Sequence, residues 1–330
     1  MDPIISAHNL SKQFQFAVKN PAHGFVRNLF NPERKTITAV DGISFSVHRA
    51  ESLAFIGPNG AGKSTCIKML TGILYPTSGS ISVSGLNPQK DRRALSYHIG
   101  TVFGQRSQLM FNLPARDSFE LFGKIYGLSN TEIAQRQKEL IELFDLGEFA
   151  NQPVRKLSLG QRMRCEIAAS LIHNPEIIFL DEPTIGLDVV AKQNLRDVLS
   201  RLNKEHGTTL FLTSHDPGDI EALCERTIII NHGTIMFDAP TDDLQKKFFT
   251  NKEIRVEFKE KTTNPHIANA TLVECDGRIA HFVVDTHRHS LNNVLKDILF
   301  AYEVNDMDVE NISLEEIIST MYKQKKEPEL

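Results

Sequence analysis

The chain has 330 residues and a mass of 37.1 kDa, with 41% hydrophobic and 24% charged residues. That balance belongs to a globular protein with one large core and room for a second, smaller one. A formal charge of −4 and a pI near 6.3 argue against a general nucleic-acid binder, so no nucleic-acid partner is expected, and no apolar run approaches the length that spans a bilayer.

The first ten residues, MDPIISAHNL, lack a basic segment leading into an apolar one, so no signal peptide is expected. Cys66, Cys165, Cys224 and Cys275 are scattered with no CxxC pair, which fits a reducing compartment without a zinc or disulfide framework. Residues 1–104 are expected to hold an antiparallel sheet and the start of a parallel core. Turn signals fall at PTSG (76–79) and SGLN (84–87). Between Phe16 and Val40 the chain inserts AVKNPAHGFVRNLFNPERKTIT (17–38), with four Lys or Arg against one acidic residue, and Phe25, Leu29 and Phe30 among them. It reads either as a long solvated hairpin or as a basic-aromatic element touching a membrane partner or lipid headgroups.

The stretch ESLAFIGPNGAGKST (51–65) breaks an apolar strand with glycines and at once starts a helix. Gly57, Gly62, Lys63 and Ser64 stand at the fixed places of G-x-x-x-x-G-K-[ST]. Glycines let backbone N–H groups approach phosphate oxygens, and the following helix, from about Gly62 to Leu70, points its N-terminus at the anion. Lys63 is expected to reach the β- and γ-phosphates, and Ser64 to ligate Mg²⁺. The cradle comprises Gly57, Pro58, Asn59, Gly60, Ala61, Gly62, Lys63, Ser64 and Thr65. A GTPase should carry NKxD; the nearest string, NKEI (251–254), lacks the aspartate.

Residues 106–170 read as mostly helical, with apolar spacing of period 3.6 in TEIAQRQKELIELFDL. Within them, KLSLGQRMR (156–164) places Ser158 as an N-cap before an amphipathic helix. In PEIIFLDEPTIGLD (175–188) four apolar residues form a buried strand that delivers Asp181 and Glu182 at its carboxyl end, where open α/β sheets bind ligands. Asp181 suits Mg²⁺, held through water; Glu182 suits the general base that activates a water against the γ-phosphate. FLTSHD (211–216) follows, ending a further apolar strand. Beyond residue 239, KEIRVEFKE and IAHFVVD alternate as strands, while SLNNVLKDILFAY and SLEEIISTMYKQ, the latter capped by Ser313, read as amphipathic helices. HRH (287–289) reads as an exposed loop rather than a metal site.

The order of the phosphate loop, Gln105, LSLGQ, the DE pair and His215 resembles the ATP-binding-cassette (ABC) family over roughly residues 1–240. The strings VFGQRSQL and LSLGQRMR are similar to the bacterial drug-exporter branch. The resemblance implies an α/β P-loop NTPase cassette: a RecA-like parallel-sheet core, an antiparallel β subdomain and a helical subdomain (106–170), followed by a small α+β appendage (241–330). It implies that Ser158 and Gly160, with Leu159 and Gln161 beside them, face the γ-phosphate of ATP on a second subunit. The family most often has glycine where this chain has Leu159. It further implies that His215 contacts the γ-phosphate and orients Glu182, and that Gln105, with Gln108 as the alternative, touches Mg²⁺ and the attacking water. Asp188 is implied to contact the partner's phosphate loop. Phe14, with Phe16 as the alternative, is implied to stack on adenine.

The implied protein is an ATP-hydrolysing subunit of a membrane transporter, an exporter by likeness. It would sit peripherally on the cytoplasmic face of the membrane and work with separate permease subunits and a second cassette, most simply a second copy. The alternative is an ABC ATPase without a transport role, acting in translation, repair or regulation; the paired cassettes, zinc modules and long coiled coils of such proteins are absent from this sequence. A regulator that does not hydrolyse would not need Glu182 and His215. The transported substrate is not legible, because the permease selects it.

Overall fold

The computed structural model describes residues 2–18, 33–104, 107–214, 216–244, 251–286 and 288–311. Gln105, His215, His287, most of the 17–38 insert and the helix expected from Ser313 lie outside the described residues. The chain divides into two compact units, residues 1–238 and 239–330.

The first unit opens with strands β1 (Ile5–Val18), β2 (Glu33–Val47) and β3 (Ser52–Ile56), helix α1 (Lys63–Leu70) and strand β4 (Ser78–Val83). Strand β1 is the centre of an antiparallel sheet of order β2-β1-β4. Its pairing with β2 runs from Ile5↔Val47 out to Val18↔Glu33, so the described ends of the insert continue a hairpin ladder. The SGLN signal closes a tight turn in which Val83 and Leu86 exchange N–H···O bonds of 2.9 Å. The PTSG signal does not join two strands; it leads from α1 into β4.

The chain then forms β5 (Ile99–Phe103) and, in the region expected to be helical, α2 (Ala115–Ile125), α3 (Asn130–Leu143) and α4 (Leu159–Ser170). Alternation resumes with β6 (Ile177–Asp181), α5 (Val189–His206), β7 (Thr209–Thr213), α6 (Pro217–Leu223), β8 (Arg226–Asn231) and β9 (Thr234–Pro240). The main sheet has order β5-β6-β7-β3-β8-β9, and β5 through β8 pair in parallel. Every residue of β3 and β7 is buried, as parallel strands flanked on both faces require. Phe211 lies 5.4 Å from both Phe55 and Phe179, ring to ring, and locks three neighbouring strands together. The register sets Asp181 beside Thr213, at the carboxyl ends of β6 and β7.

The second unit holds β10 (Asn251–Phe258), β11 (Thr271–Cys275), β12 (Ile279–Asp285), helix α7 (Leu291–Ala301) and β13 (Val304–Asn311). These make an antiparallel sheet of order β11-β12-β10-β13 around its own core, which includes Val256, Phe258, Phe282, Val294 and Ile298. Strands β10 and β12 and helix α7 follow the sequence pattern. Strands β11 and β13 do not announce themselves there. They are edges with mostly exposed or half-buried side chains, so no clean apolar alternation marks them.

Candidate active site

The loop between β3 and α1 is shaped by close backbone packing. A Cβ at Gly57 would lie 2.1 Å from the Ile230 carbonyl oxygen, and one at Gly62, where φ is +110°, would lie 2.4 Å from that of Ala39. At Gly60 a Cβ would meet nothing within 4 Å. The two motif glycines are thus required by the protein's own backbone on either side, in addition to any phosphate. Lys63 is only 6% exposed. Its ammonium donates to the carbonyls of Gly57 (2.5 Å) and Pro58 (3.3 Å) and lies 3.7 Å from Glu182 Oε1. Ser64 Oγ donates to Asp181 Oδ1 at 3.2 Å. Ala39, residues 58–65 and Glu182 line a pocket of about 200 Å³.

Thr213 engages both acidic residues. Its hydroxyl donates to Asp181 Oδ1 (2.7 Å) and accepts from the Glu182 N–H (3.1 Å), which also reaches the Thr213 carbonyl at 3.1 Å. Glu182 adopts the left-handed conformation, with φ of +55°, at a cost on the order of 1 kcal/mol for a side-chain-bearing residue. The doubly engaged N–H holds it there. The turn out of β6 sends the Glu182 carboxylate into the pocket of the phosphate loop, while Asp181 stays with Ser64. A hydroxyl and a carboxylate oxygen so close are the hard donors that Mg²⁺ prefers, so the residues fit that ion.

Ser158 caps α4 with a full capping box: its Oγ accepts from the Gln161 N–H (3.2 Å), and Gln161 Oε1 accepts from the Ser158 N–H (3.0 Å). Gly160 is buried against α5, where a Cβ would lie 2.7 Å from Ala191 Cβ. Asp188 caps α5 through the Ala191 N–H at 2.8 Å. Leu159 packs over Gly186; a Cβ on that glycine would stand 3.2 Å from Leu159 Cδ2. The segments holding Ser158 and Asp188 therefore pack on each other, and both of these residues are exposed.

Phe14 is half-buried on β1, with the Lys12 ammonium 5.2 Å from its ring centre, and Phe16 is 41% exposed. Gln108 is tied down: its amide donates to the Thr101 carbonyl at 2.8 Å, and its N–H donates to the Glu166 carboxylate at 3.0 Å. Burial pushes the Glu166 carboxyl above its ordinary range, against the opposing pull of hydrogen bonds from Ser107 and the N–H groups of Gln108 and Leu109. Gln105 and His215 lie outside the described residues.

The family model for ABC transporters matches residues 40–185. The ABC transporter ATP-binding protein NatA of Bacillus subtilis is 34% identical over 215 residues, which are 65% of this chain and 87% of that protein. The chain belongs to the ABC transporter ATP-binding family. The linearmycin resistance ATP-binding protein LnrL of Bacillus subtilis is 38% identical over 207 residues, 63% of this chain and 66% of that protein. Among solved structures, a dimeric, post-hydrolysis state of the ATP-binding cassette MJ0796 bound to ADP and Pi is 26% identical with a TM-score of 0.60, covering 72% of this chain and 98% of that one.

This ABC cassette is an ATPase subunit of the transporter type. Thr213 is the residue near its acidic pair that motif reading missed, because a threonine ending an apolar strand looks like an ordinary β-former. Thr213→Val is expected to lower ATP turnover by roughly tenfold, the loss of one hydrogen bond to a charged group, while Thr213→Ser keeps most of it. Steady-state phosphate release checks this; a fully active valine variant would contradict it.

Proposed function

We propose that two copies of this cassette close on ATP at the cytoplasmic face of a membrane and drive export through separate membrane-spanning subunits. One observation carries the reading. Among the described residues, the pocket around Lys63 and Glu182 is lined by Ala39, residues 58–65 and Glu182, with none of residues 157–161. Yet that segment presents a capped helix N-terminus with an exposed serine. Such a terminus is an anion site, and a second chain would bring it to the phosphates.

In this reading residues 57–65 cradle the phosphates and Phe14 stacks on adenine. Ser64 and Asp181, with Gln105, hold Mg²⁺, which when bound supplies charge neutralisation at the phosphates. Glu182 takes the proton of the attacking water, oriented by His215. Ser158 and Gly160, flanked by Leu159 and Gln161, donate to the nucleotide of the partner, and Asp188 faces the partner's phosphate loop. What supports dimerisation is that MJ0796 is described as dimeric. Export is supported by the name of LnrL, a resistance protein. Separate permease subunits are supported by the observation that no helix among the described residues is long and apolar enough to cross a membrane.

The test is a cross-link. Cysteines placed beside Ser158 and beside the phosphate loop, in a chain carrying Glu182→Gln, are expected to join two chains when ATP is added. A cross-link formed only within one chain would overturn the reading. Mixing Ser158→Arg with Lys63→Ala chains adds a second measure, since the mixed dimer keeps one undamaged site and should regain part of the turnover.

A further inference from the structure

We propose that Asp219 is a positioning residue for hydrolysis, tying the segments on either side of the catalytic groups to one buried carboxylate; the inference rests on the reading of Glu182 and His215 as the hydrolytic pair. Asp219 lies in the first turn of α6 and is fully buried. Three side chains from three parts of the chain converge on it. Oδ2 accepts from Ser214 Oγ at 2.7 Å and from the hydroxyl of Thr184. Oδ1 accepts from Arg196 Nε at 2.7 Å. Thr184 and Ser214 are themselves 3% and 2% exposed.

The places of these partners matter more than their number. Thr184 stands two residues after Glu182, and Ser214 immediately before His215. Arg196 belongs to α5, the helix capped by Asp188 and packed on Gly160. The segment around His215 is pinned on its far side as well. Asp216 accepts from Lys192 Nζ at 2.5 Å and from Arg196 Nη2 at 3.2 Å, and its N–H donates to Ser214 Oγ at 3.0 Å. Gly218 makes room for the guanidinium, since a Cβ there would lie 2.9 Å from Arg196 Nη2.

For stability alone, an apolar cluster of the same volume would serve as well as a buried ion pair. A carboxylate offers what an apolar side chain cannot: directional acceptance from several donors at once, which fixes three backbone segments in one register. Hydrolysis is sensitive to such register, because a misplacement of about 1 Å at the reacting groups costs up to ~10²-fold in rate. Asp219 touches no reacting atom; it acts through Thr184 and Ser214.

The experiment measures turnover at saturating ATP, ATP affinity and thermal midpoint on the full chain. Asp219→Asn keeps the shape and removes the charge. Thr184→Val deletes one hydrogen bond to Asp219, and Ser214→Ala deletes that to Asp219 together with the one from the Asp216 N–H. Both leave the Asp219 carboxylate paired with Arg196, and carry the test if the asparagine variant does not fold. Each of the two is expected to lower turnover about tenfold at unchanged ATP affinity, and Asp219→Asn by more. Thr184→Ser should restore the rate lost in Thr184→Val. Wild-type turnover in both Thr184→Val and Ser214→Ala, or losses of rate and affinity that merely follow the folded fraction, would overturn the proposal. Glu182→Gln is run in parallel. If that variant also turns over normally, the reading of the hydrolytic pair has failed; if it is inactive while the Thr184 and Ser214 variants are active, only the role of Asp219 has failed.

Discussion

Glu182→Gln is expected to bind ATP as the parent does and to lose turnover by about 10²-fold or more, the contribution of a positioned general base. The change is isosteric and leaves the backbone arrangement alone. The Glu182 N–H keeps its bonds to Thr213, and the left-handed turn that aims the side chain is set by the main chain. Only the basic carboxylate is lost, and an amide cannot take a proton from water near neutral pH. Lys63, 3.7 Å from Oε1, remains inside its loop through the carbonyls of Gly57 and Pro58. Calorimetric titration with ATP and steady-state phosphate release separate the two effects. Hydrolysis at the parental rate would remove Glu182 from the mechanism.

Lys63→Ala is expected to act on the other parameter. The ammonium is a buried cation enclosed by its own loop, placed to exchange carbonyl oxygens for phosphate oxygens. A charge-assisted hydrogen bond is worth about 1.5–3 kcal/mol, so its loss should weaken ATP binding by roughly 10- to 10²-fold. The fold should tolerate the change, because the loop is also fixed by Gly57 against Ile230 and by Gly62 against Ala39. Equilibrium dialysis with labelled ATP reads the affinity. An unchanged dissociation constant would mean that Lys63 serves the loop and not the nucleotide.

Local features were the legible ones. The spacing of Gly57, Gly62, Lys63 and Ser64 needs no distant partner to be recognised, because it encodes one turn and the helix after it. The same holds for Ser158 as an N-cap, whose bond from the Gln161 N–H spans three residues. The apolar run before Asp181 declared a buried strand and hence a carboxylate pair at its end. In the second unit, β10, β12 and α7 were visible because each has a buried face. The edges β11 and β13 lack that contrast and were not.

The sequence by itself determined a phosphate loop leading into a helix, an acidic pair ending a buried strand and a helix capped by Ser158, because each is a matter of spacing along one segment. Only the tertiary structure decided how these parts are held. The parallel register of β6 and β7 brings Thr213, 32 residues away in sequence, onto Asp181. The fold of α6 brings Asp219 onto Thr184, 35 residues away. It also showed that Gly57 and Gly62 answer to the carbonyls of Ile230 and Ala39. A threonine on a strand or an aspartate in a first helical turn looks ordinary in sequence. Its partner is chosen by strand order and register, which arise from burying many apolar side chains at once rather than from its neighbours in the chain.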